Sequence, residues 1–334
     1  PFSSLGKYSC PLRSHPMSLF HNILVGVDLS QYDTATFQPS PIARQVASHA
    51  LWLADKTSAR LTFFSALDLG IEALPLLEES DLHYLTTGAE QTAAKILRGL
   101  VQQARDKGIE AVDKLALGSG WLELVRQVLR DNHDLVLIGT RDRTGLERML
   151  FGSTAIKVVR RCPCPVWVAK PDGEANPLKI LVASGLDAVA EEGLRLAAEL
   201  ARVAPAVIHL LHAVDFPLDR HWCTGLPDAK DQAYRRGVRE RAVKELQGQI
   251  DRAGARALSP PVQVHLIDEP GCLPDQGVLK FLNQQPIDLL VMGTLARSGL
   301  VGVMIGNTAE RLLPQLSCSL LAVKPKDFVS PVRL

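Results

Sequence analysis

Short apolar runs alternate along this chain with longer stretches in which apolar residues recur with the period of a helix. In the first half, the runs that predict strands lie at about 22–28, 61–67, 110–117, 134–140 and 164–169. Helices are predicted between them, near 42–57, 87–107, 121–131 and 153–161. Strands that are apolar throughout are typical of a parallel sheet covered by helices on both faces.

The second half repeats the same alternation. Its predicted strands lie near 179–184, 206–214, 262–268, 288–293 and 319–323, and its predicted helices near 188–203, 231–253, 275–284 and 307–315. Right-handed crossovers put helices on both faces of a parallel sheet, and we expect each half to form a doubly wound five-stranded parallel sheet with strand order 3-2-1-4-5. In such a sheet, small ligands bind beyond the carboxyl ends of strands one and four, where the strand order reverses.

The two halves also resemble each other in sequence. Asp134–Thr140 matches Asp288–Thr294, and Cys164–Pro171 matches Cys318–Pro325, both at an offset of 154 residues. Nearer the start of each half, Ile23–Asp28 aligns with Ile180–Gly185. The α/β domain is therefore predicted twice, over residues 17–172 and 177–334, and a Pro- and Gly-containing linker joins the two copies.

Length and charge agree with two soluble domains. The chain has 334 residues and a formal net charge of +1, so no basic surface for nucleic acid or for an anionic membrane is predicted. Six scattered cysteines indicate reduced thiols and a cytoplasmic location. Residues 1–16 lack the apolar core of a signal peptide, and we expect a flexible arm with Met17 as the natural start.

The predicted ligand site combines an acidic residue with a glycine-containing loop. Asp28 follows the first strand, and Gly139 and Gly152 bracket the loop after the fourth strand. We expect these glycines to allow close backbone approach and positive φ, and Ser153 and Thr154 to open a helix whose N–H groups favour an anion. Asp28 would accept hydrogen bonds from a ribose or an adenine; alternatively, it only caps its own loop.

The second half keeps most of this pattern, but Gly185 stands where the first half has Asp28. The candidate nucleotide-binding residues are Asp28, Gly139, Thr140, Arg141, Gly152, Ser153 and Thr154 in the first half and Gly293, Thr294, Gly306, Asn307 and Thr308 in the second. No catalytic residue and no metal ligand is predicted. Cys162 and Cys164 lack the partner pair that a structural zinc site needs, and His209 and His212 point to opposite faces of a strand.

At this loop the chain resembles the universal stress protein family. Its ATP-binding members carry a signature of Gly, two residues, Gly, nine residues, and then Gly followed by Ser or Thr. Gly139 and Gly152-Ser153 match, but Asp142 replaces the middle glycine. In the second half Gly293 and Gly306 match, whereas Ala296 and Asn307 depart from the signature. An acidic side chain beside the phosphates would repel them.

The resemblance implies an adenine nucleotide alpha hydrolase-like fold, a role in survival under stress and, in some members, bound ATP with or without Mg²⁺. It also implies that the fifth strands, 166–169 and 320–323, pair as they do in family dimers. We therefore expect a pseudo-two-fold chain that can also self-associate. The apolar segment Gly70–Glu78 is predicted to cover the ligand crevice or to pack against the other half.

Three hypotheses about function follow. The first is a regulator that senses ATP through its first half and changes its contacts with an unidentified protein partner. The second is a nucleotide-free interaction scaffold, or a binder of an apolar ligand, which the departures at Asp142, Gly185 and Ala296 favour. The third is slow ATP hydrolysis, which would need a metal and a positioned water. No motif of a fast catalyst is present, so a dedicated enzyme is not predicted.

Overall fold

The computed structural model describes residues 19–30, 32–33, 36–68, 79–140, 151–170, 176–216, 218, 227–269, 272–294 and 306–334, with only the backbone described over residues 79–86. Several predictions fall on other residues. The N-terminal arm of residues 1–16, the apolar segment 70–78, Arg141, Asp142 and Ala296 lie outside the described part of the chain.

The first half contains the predicted strands and helices, together with a short hairpin. Its elements are β1 (Asn22–Gly26), β2 (Tyr32–Asp33), β3 (Gln38–Pro39), α1 (Pro41–Thr57), β4 (Arg60–Leu67), α2 (Glu79–Asp106), β5 (Ala111–Leu117), α3 (Gly120–Asp131), β6 (Leu135–Gly139), α4 (Ser153–Arg161) and β7 (Val166–Ala169). The hairpin of β2 and β3 was not predicted, because strands of two residues carry no periodicity.

The second half repeats this order without the hairpin. Its elements are β8 (Leu178–Ala183), α5 (Ala188–Val203), β9 (Ala206–Ala213), α6 (Asp228–Arg252), β10 (Gln263–Ile267), α7 (Pro274–Gln284), β11 (Leu289–Gly293), α8 (Asn307–Leu312), a 3₁₀ turn (Leu313–Gln315) and β12 (Ser319–Val323). The last helix is shorter than predicted. Pro314 cannot donate a backbone hydrogen bond, and the chain tightens into the 3₁₀ turn there.

The strand order confirms the predicted fold. In the first half the sheet runs β7-β6-β1-β4-β5, and in the second it runs β10-β9-β8-β11-β12, so each half has the order 3-2-1-4-5. All neighbouring strands within a half are parallel. In each half the first strand, β1 or β8, therefore lies beside the fourth, β6 or β11, where the order reverses.

The fifth strands of the two halves join the sheets. β7 and β12 pair antiparallel, with Trp167 opposite Leu321, and the result is one sheet of ten strands. The prediction that these strands pair is confirmed. Because the outer edge of each fifth strand pairs with the fifth strand of the other half, neither strand is an open sheet edge.

Apolar side chains fill both faces of the sheet. One core is built by residues of α1, α2, α5 and α6 with alternate strand residues such as Ile23, Leu137 and Trp167. The other is built by residues of α3, α4, α7 and α8 with Leu24, Val136 and Val168. No described helix is long and apolar enough to cross a lipid bilayer.

Candidate functional site

The predicted site of the first half lies at the carboxyl ends of β1 and β6. These strands pair in parallel, with Val25 opposite Leu137. Asp28 follows the end of β1 and Thr140 follows the end of β6, so both lie beyond the carboxyl ends of neighbouring strands. This is the point where the strand order reverses, and ligands bind there in sheets of this type.

Asp28 is exposed and takes part in its own loop. The Ser30 backbone N–H donates to Asp28 Oδ1 at 2.9 Å, so the carboxylate caps the turn that leaves β1. The contact expected if Asp28 caps its own loop is therefore present. The contact uses Oδ1 and leaves the side chain at the surface, so it does not exclude hydrogen bonding to a ligand.

Gly139 has a packing role that the sequence did not reveal. A Cβ on Gly139 would lie 2.8 Å from Ile42 Cγ2 and 2.9 Å from Val46 Cγ2, both on α1. The expectation of positive φ is wrong here, because Gly139 is not among the residues with positive φ. This glycine lets α1 approach the end of β6, and the same holds for Gly293, whose Cβ would lie 2.9 Å from Val189 Cγ1.

The start of α4 supplies the anion-binding part of the site. Gly152 is the N-cap residue with φ −62° and ψ 157°, so positive φ is also wrong at this position. Gly152 has no side chain with which to cap the helix, and Ser153 and Thr154 are exposed. The first N–H groups of an α-helix have no partner within the helix, and together with the helix dipole they favour an anion. These residues therefore fit a phosphate group.

The second half presents a weaker version of this site. α8 has only six residues after its N-cap, Gly306, and Asn307 is exposed while Thr308 is half-buried. Thr294 is fully buried, and Lys324 Nζ donates to Thr294 Oγ1 at 2.9 Å. The hydroxyl of Thr294 therefore faces Lys324, and its partner in the repeat, Thr140, is also buried.

Asp187, the acidic residue near the end of β8, caps a helix. Asp187 is the N-cap residue of α5, and its Oδ1 accepts from the Ala190 N–H at 2.9 Å. The hydroxyl of Ser184 is held by Gln249 at 2.8 Å. With Gly185 at the position of Asp28, the second half offers no exposed carboxylate equivalent to that of the first half.

Sequence reasoning missed three polar side chains at the junction between the halves: the buried Lys324 and Trp167, and the half-buried His49. Burial lowers the pKa of Lys324 to about 8, although Nζ lies 3.5 Å from the carbonyl of Arg160 at the end of α4. Burial likewise lowers the pKa of His49 to about 4. No signal in the sequence marks these residues, since their burial follows from how the two halves meet.

The histidines and cysteines set aside from the sequence form small contacts of their own. His209 Nδ1 lies 3.0 Å from His265 Nε2, while His212 contacts the Ser184 carbonyl instead. Cys162 Sγ and Cys164 Sγ are 3.5 Å apart. The hydrogen bond with Cys162, together with burial, raises the pKa of the Cys164 thiol well above its usual range. Within the described ranges, no group of three or more His, Cys, Asp or Glu residues is placed to bind a metal ion.

Comparison with known proteins matches both halves to one family. The sequence model of the universal stress protein family matches residues 19–170 and 178–324. Universal stress protein E of Photorhabdus laumondii is 26% identical over 337 residues, covering 95% of this chain and 99% of that protein. Universal stress protein E of Escherichia coli K12 is 25% identical over 329 residues, covering 95% and 98%.

A solved structure shares the arrangement of the whole chain. The crystal structure of a universal stress protein from Archaeoglobus fulgidus superposes with a TM-score of 0.63 at 18% identity, covering 92% of this chain and 99% of that one. At this identity the likeness concerns the fold alone. Since the family model covers most of the chain in two consecutive matches, the protein belongs to the universal stress protein family.

Proposed function

We propose that this protein is a stress-response regulator that binds an adenine nucleotide at the switch point of its first half. The observation that carries the proposal is the start of α4. There a helix start whose N-cap residue is a glycine, with two exposed hydroxyl residues, Ser153 and Thr154, follows the strand that lies beside β1. Asp28 lies at the end of that neighbouring strand, and an anion site beside an acidic hydrogen-bond acceptor is the combination that a nucleotide requires.

Each part of the site has a separate role in this proposal. The N–H groups and hydroxyls of Ser153 and Thr154 donate to phosphate oxygens, and Gly152 leaves room for the phosphate at the helix end. Asp28 accepts from a ribose hydroxyl or an adenine amine. Mg²⁺, when it accompanies ATP, supplies positive charge that neutralises the phosphates. Binding would connect β1 to α4, and α4 packs next to the other half of the chain, where Arg160 lies 3.4 Å from Glu310.

The second half supports the scaffold hypothesis for its own site. Thr294 is engaged by Lys324, Asp187 caps α5, and α8 is short. These contacts are made within the protein, so they hold the residues of the second site in place without a ligand. We therefore propose one nucleotide per chain, with the second half serving as a structural partner.

Native mass spectrometry with and without Mg-ATP tests the stoichiometry. One adenine nucleotide per chain is the expected result, and no bound nucleotide at millimolar ATP would leave the scaffold hypothesis instead. ATP hydrolysis can be followed in the same samples. If wild type and the Ser153→Pro variant described next release ADP at the same rate, the activity belongs to a contaminating ATPase rather than to this site.

Ser153→Pro tests the location of the site. Ser153 is the first residue of α4, a position that tolerates proline, and the extended Gly152 backbone suits a residue before proline. The variant removes one N–H donor and one hydroxyl without breaking the helix, so we expect ATP affinity to fall about tenfold or more. Asn307→Pro makes the same change at the start of α8 and should leave affinity unchanged. Equal affinity in wild type and Ser153→Pro would exclude this site.

A further inference from the structure

β5 forms one edge of the ten-stranded sheet, and no described strand pairs with its outer side. Its register with β4 shows which backbone groups face outward. The Leu61 N–H donates to the Glu110 carbonyl, and in a parallel ladder every second residue of a strand then faces the same neighbour. The N–H and C=O groups of Ala111 and Asp113 therefore point away from the sheet, where another strand can pair with them.

The side chains at this edge are complementary to those of a second copy of the chain. Glu110, Val112 and Lys114 alternate along the strand, so they lie on one face of the sheet. All three are exposed, Val112 to 43%, and no described residue forms an ion pair with Glu110 or Lys114. When a second β5 is placed antiparallel with Val112 opposite Val112, Lys114 of each copy lies opposite Glu110 of the other.

Two-fold symmetry selects this register. A two-fold axis through an antiparallel strand pair places one residue opposite its own copy. With Val112 at the axis, the outward-facing Ala111 and Asp113 exchange backbone hydrogen bonds, and the valine and Lys–Glu pairs occupy the positions where side chains approach most closely. Registers centred on Asp113 or Lys114 would instead place like charges directly opposite each other, which is destabilising.

The opposite edge of the sheet, β10, lacks this pattern. When the two halves are aligned through their strand registers, the three corresponding positions are held by Pro261, Gln263 and His265. These residues supply neither opposite charges nor an apolar centre, and His265 Nε2 lies 3.0 Å from His209 Nδ1. Pro260 and Pro261 also precede β10, and proline is one means by which sheets prevent pairing at an edge. The two edges therefore differ, and β5 is the one suited to pairing.

Arg105 contacts the outer side of β5. This exposed residue in the last turn of α2 donates from Nη2 to the Ala111 carbonyl at 3.1 Å. A carbonyl oxygen has two lone pairs, so a second strand can share it with Arg105. The side chain is also exposed and can turn into solvent. Arg105 therefore competes for one outward-facing carbonyl and leaves the rest of the edge open.

We propose that two copies of the chain associate through antiparallel pairing of their β5 strands, centred on Val112, so that the sheet continues from one copy into the other. Backbone hydrogen bonds and the valine pair hold the strands together, and the pairs of Lys114 with Glu110 fix the register. Because exposed ion pairs contribute little stability and the paired surface is small, the association is weak, reversible and dependent on concentration. It does not involve the candidate nucleotide site.

Sedimentation velocity of the full chain without nucleotide, from micromolar to millimolar concentration, tests the proposal. We expect a monomer–dimer equilibrium that shifts toward monomer as salt is added, because salt screens the ion pairs. Lys114→Glu and Glu110→Lys should each weaken dimerisation about tenfold or more, since each places like charges opposite each other on both sides of the axis. Lys244→Glu is the matched control. It makes the same change of charge at an exposed residue of α6 and should dimerise as wild type does.

Exchange of the two charges tests the register. The double variant Glu110→Lys with Lys114→Glu restores opposite charges across the axis and should dimerise about as strongly as wild type. An equimolar mixture of the two single variants should form mixed dimers for the same reason.

A cysteine at the axis gives an independent readout. Two copies of Val112→Cys should form a disulfide-linked dimer under mild oxidation with diamide, because this residue meets its own copy. Leu117→Cys is the control, since Leu117 is 50% exposed on the same strand but does not meet its copy in this register, and it should not form that dimer.

Three results would overturn the proposal. The first is a chain that stays monomeric at millimolar concentration. The second is a dimer of wild-type strength in both single charge variants, which would place the contact on another surface. The third is failure of both the double variant and the mixture to recover dimerisation, which would exclude this register. None of these results depends on whether the chain binds a nucleotide.

Discussion

Trp167 and Leu321 lie directly opposite each other where β7 and β12 pair. The two residues are equivalent in the internal repeat, and the flanking pairs Val166–Ala322 and Val168–Leu320 exchange equivalents. A pseudo-two-fold axis therefore passes between Trp167 and Leu321. Contacts on either side of the axis are made by equivalent segments, so each difference in sequence between the halves becomes an asymmetry at the junction.

Leu321→Ala should destabilise the whole chain. Leu321 is fully buried at the centre of the ten-stranded sheet, and truncation of a buried leucine typically lowers the free energy of unfolding by about 2–5 kcal/mol. Urea unfolding followed by circular dichroism measures this loss. Val329→Ala serves as the control, because Val329 is 71% exposed and its truncation should change stability by less than about 0.5 kcal/mol. Similar values for both variants would contradict the strand pairing.

Gly139→Ala should lower stability even without any ligand. Its Cβ would come within 2.9 Å of two methyl groups on α1, and the shift of the helix should lower the free energy of unfolding by about 1–3 kcal/mol. Gly99→Ala is the matched control. Gly99 lies in α2 with open space around it, so alanine there should stabilise by about 0.5–1 kcal/mol. Chemical unfolding of both apo variants decides whether Gly139 is required for packing.

His49 should make the protein less stable in mild acid. In the unfolded chain its pKa returns toward 6.5, whereas burial holds it at about 4 in the folded chain. Between these two values the unfolded state binds a proton that the folded state does not. The free energy of unfolding therefore falls as pH drops from about 6.5 to about 4, by up to about 3 kcal/mol.

His49→Phe provides the comparison for this pH effect. The difference in unfolding free energy between wild type and the variant, measured by urea titration at several pH values, should change across that window and be constant above it. Other titrating groups contribute equally to both proteins and cancel. A difference that does not vary with pH would mean that His49 is not buried in its neutral form.

Lys324 should make the free energy of unfolding depend on pH in the alkaline range. Its pKa is about 8 in the folded protein against 10.5 ordinarily, because burial disfavours the ammonium. From about pH 8 to 10.5 the unfolded state retains a proton that the folded state has released, so this group contributes stability that increases with pH. Lys324→Met should lack the increase, whereas Lys326→Met, at an 87% exposed side chain, should retain it. Urea unfolding in alkaline buffers measures both.

The sequence alone determined the architecture of each half. Apolar runs alternating with helical stretches predicted five strands and four principal helices per half, and the offset of 154 residues identified two copies. These signals are local and occur in both halves, so they can be recognised without knowledge of tertiary contacts. The strand order observed is the one expected for this doubly wound fold.

Only the tertiary structure decided what individual residues do. Gly139 and Gly152 were expected at positive φ, but Gly139 makes room for α1 and Gly152 has an ordinary extended backbone before α4. The burial of His49, Trp167 and Lys324 arises where the two halves meet, from residues far apart in the chain. A sequence pattern reports the face on which a residue lies in its own element. It does not report which element covers that face, and this covering determines hydrogen-bond partners, pKa values and cavities.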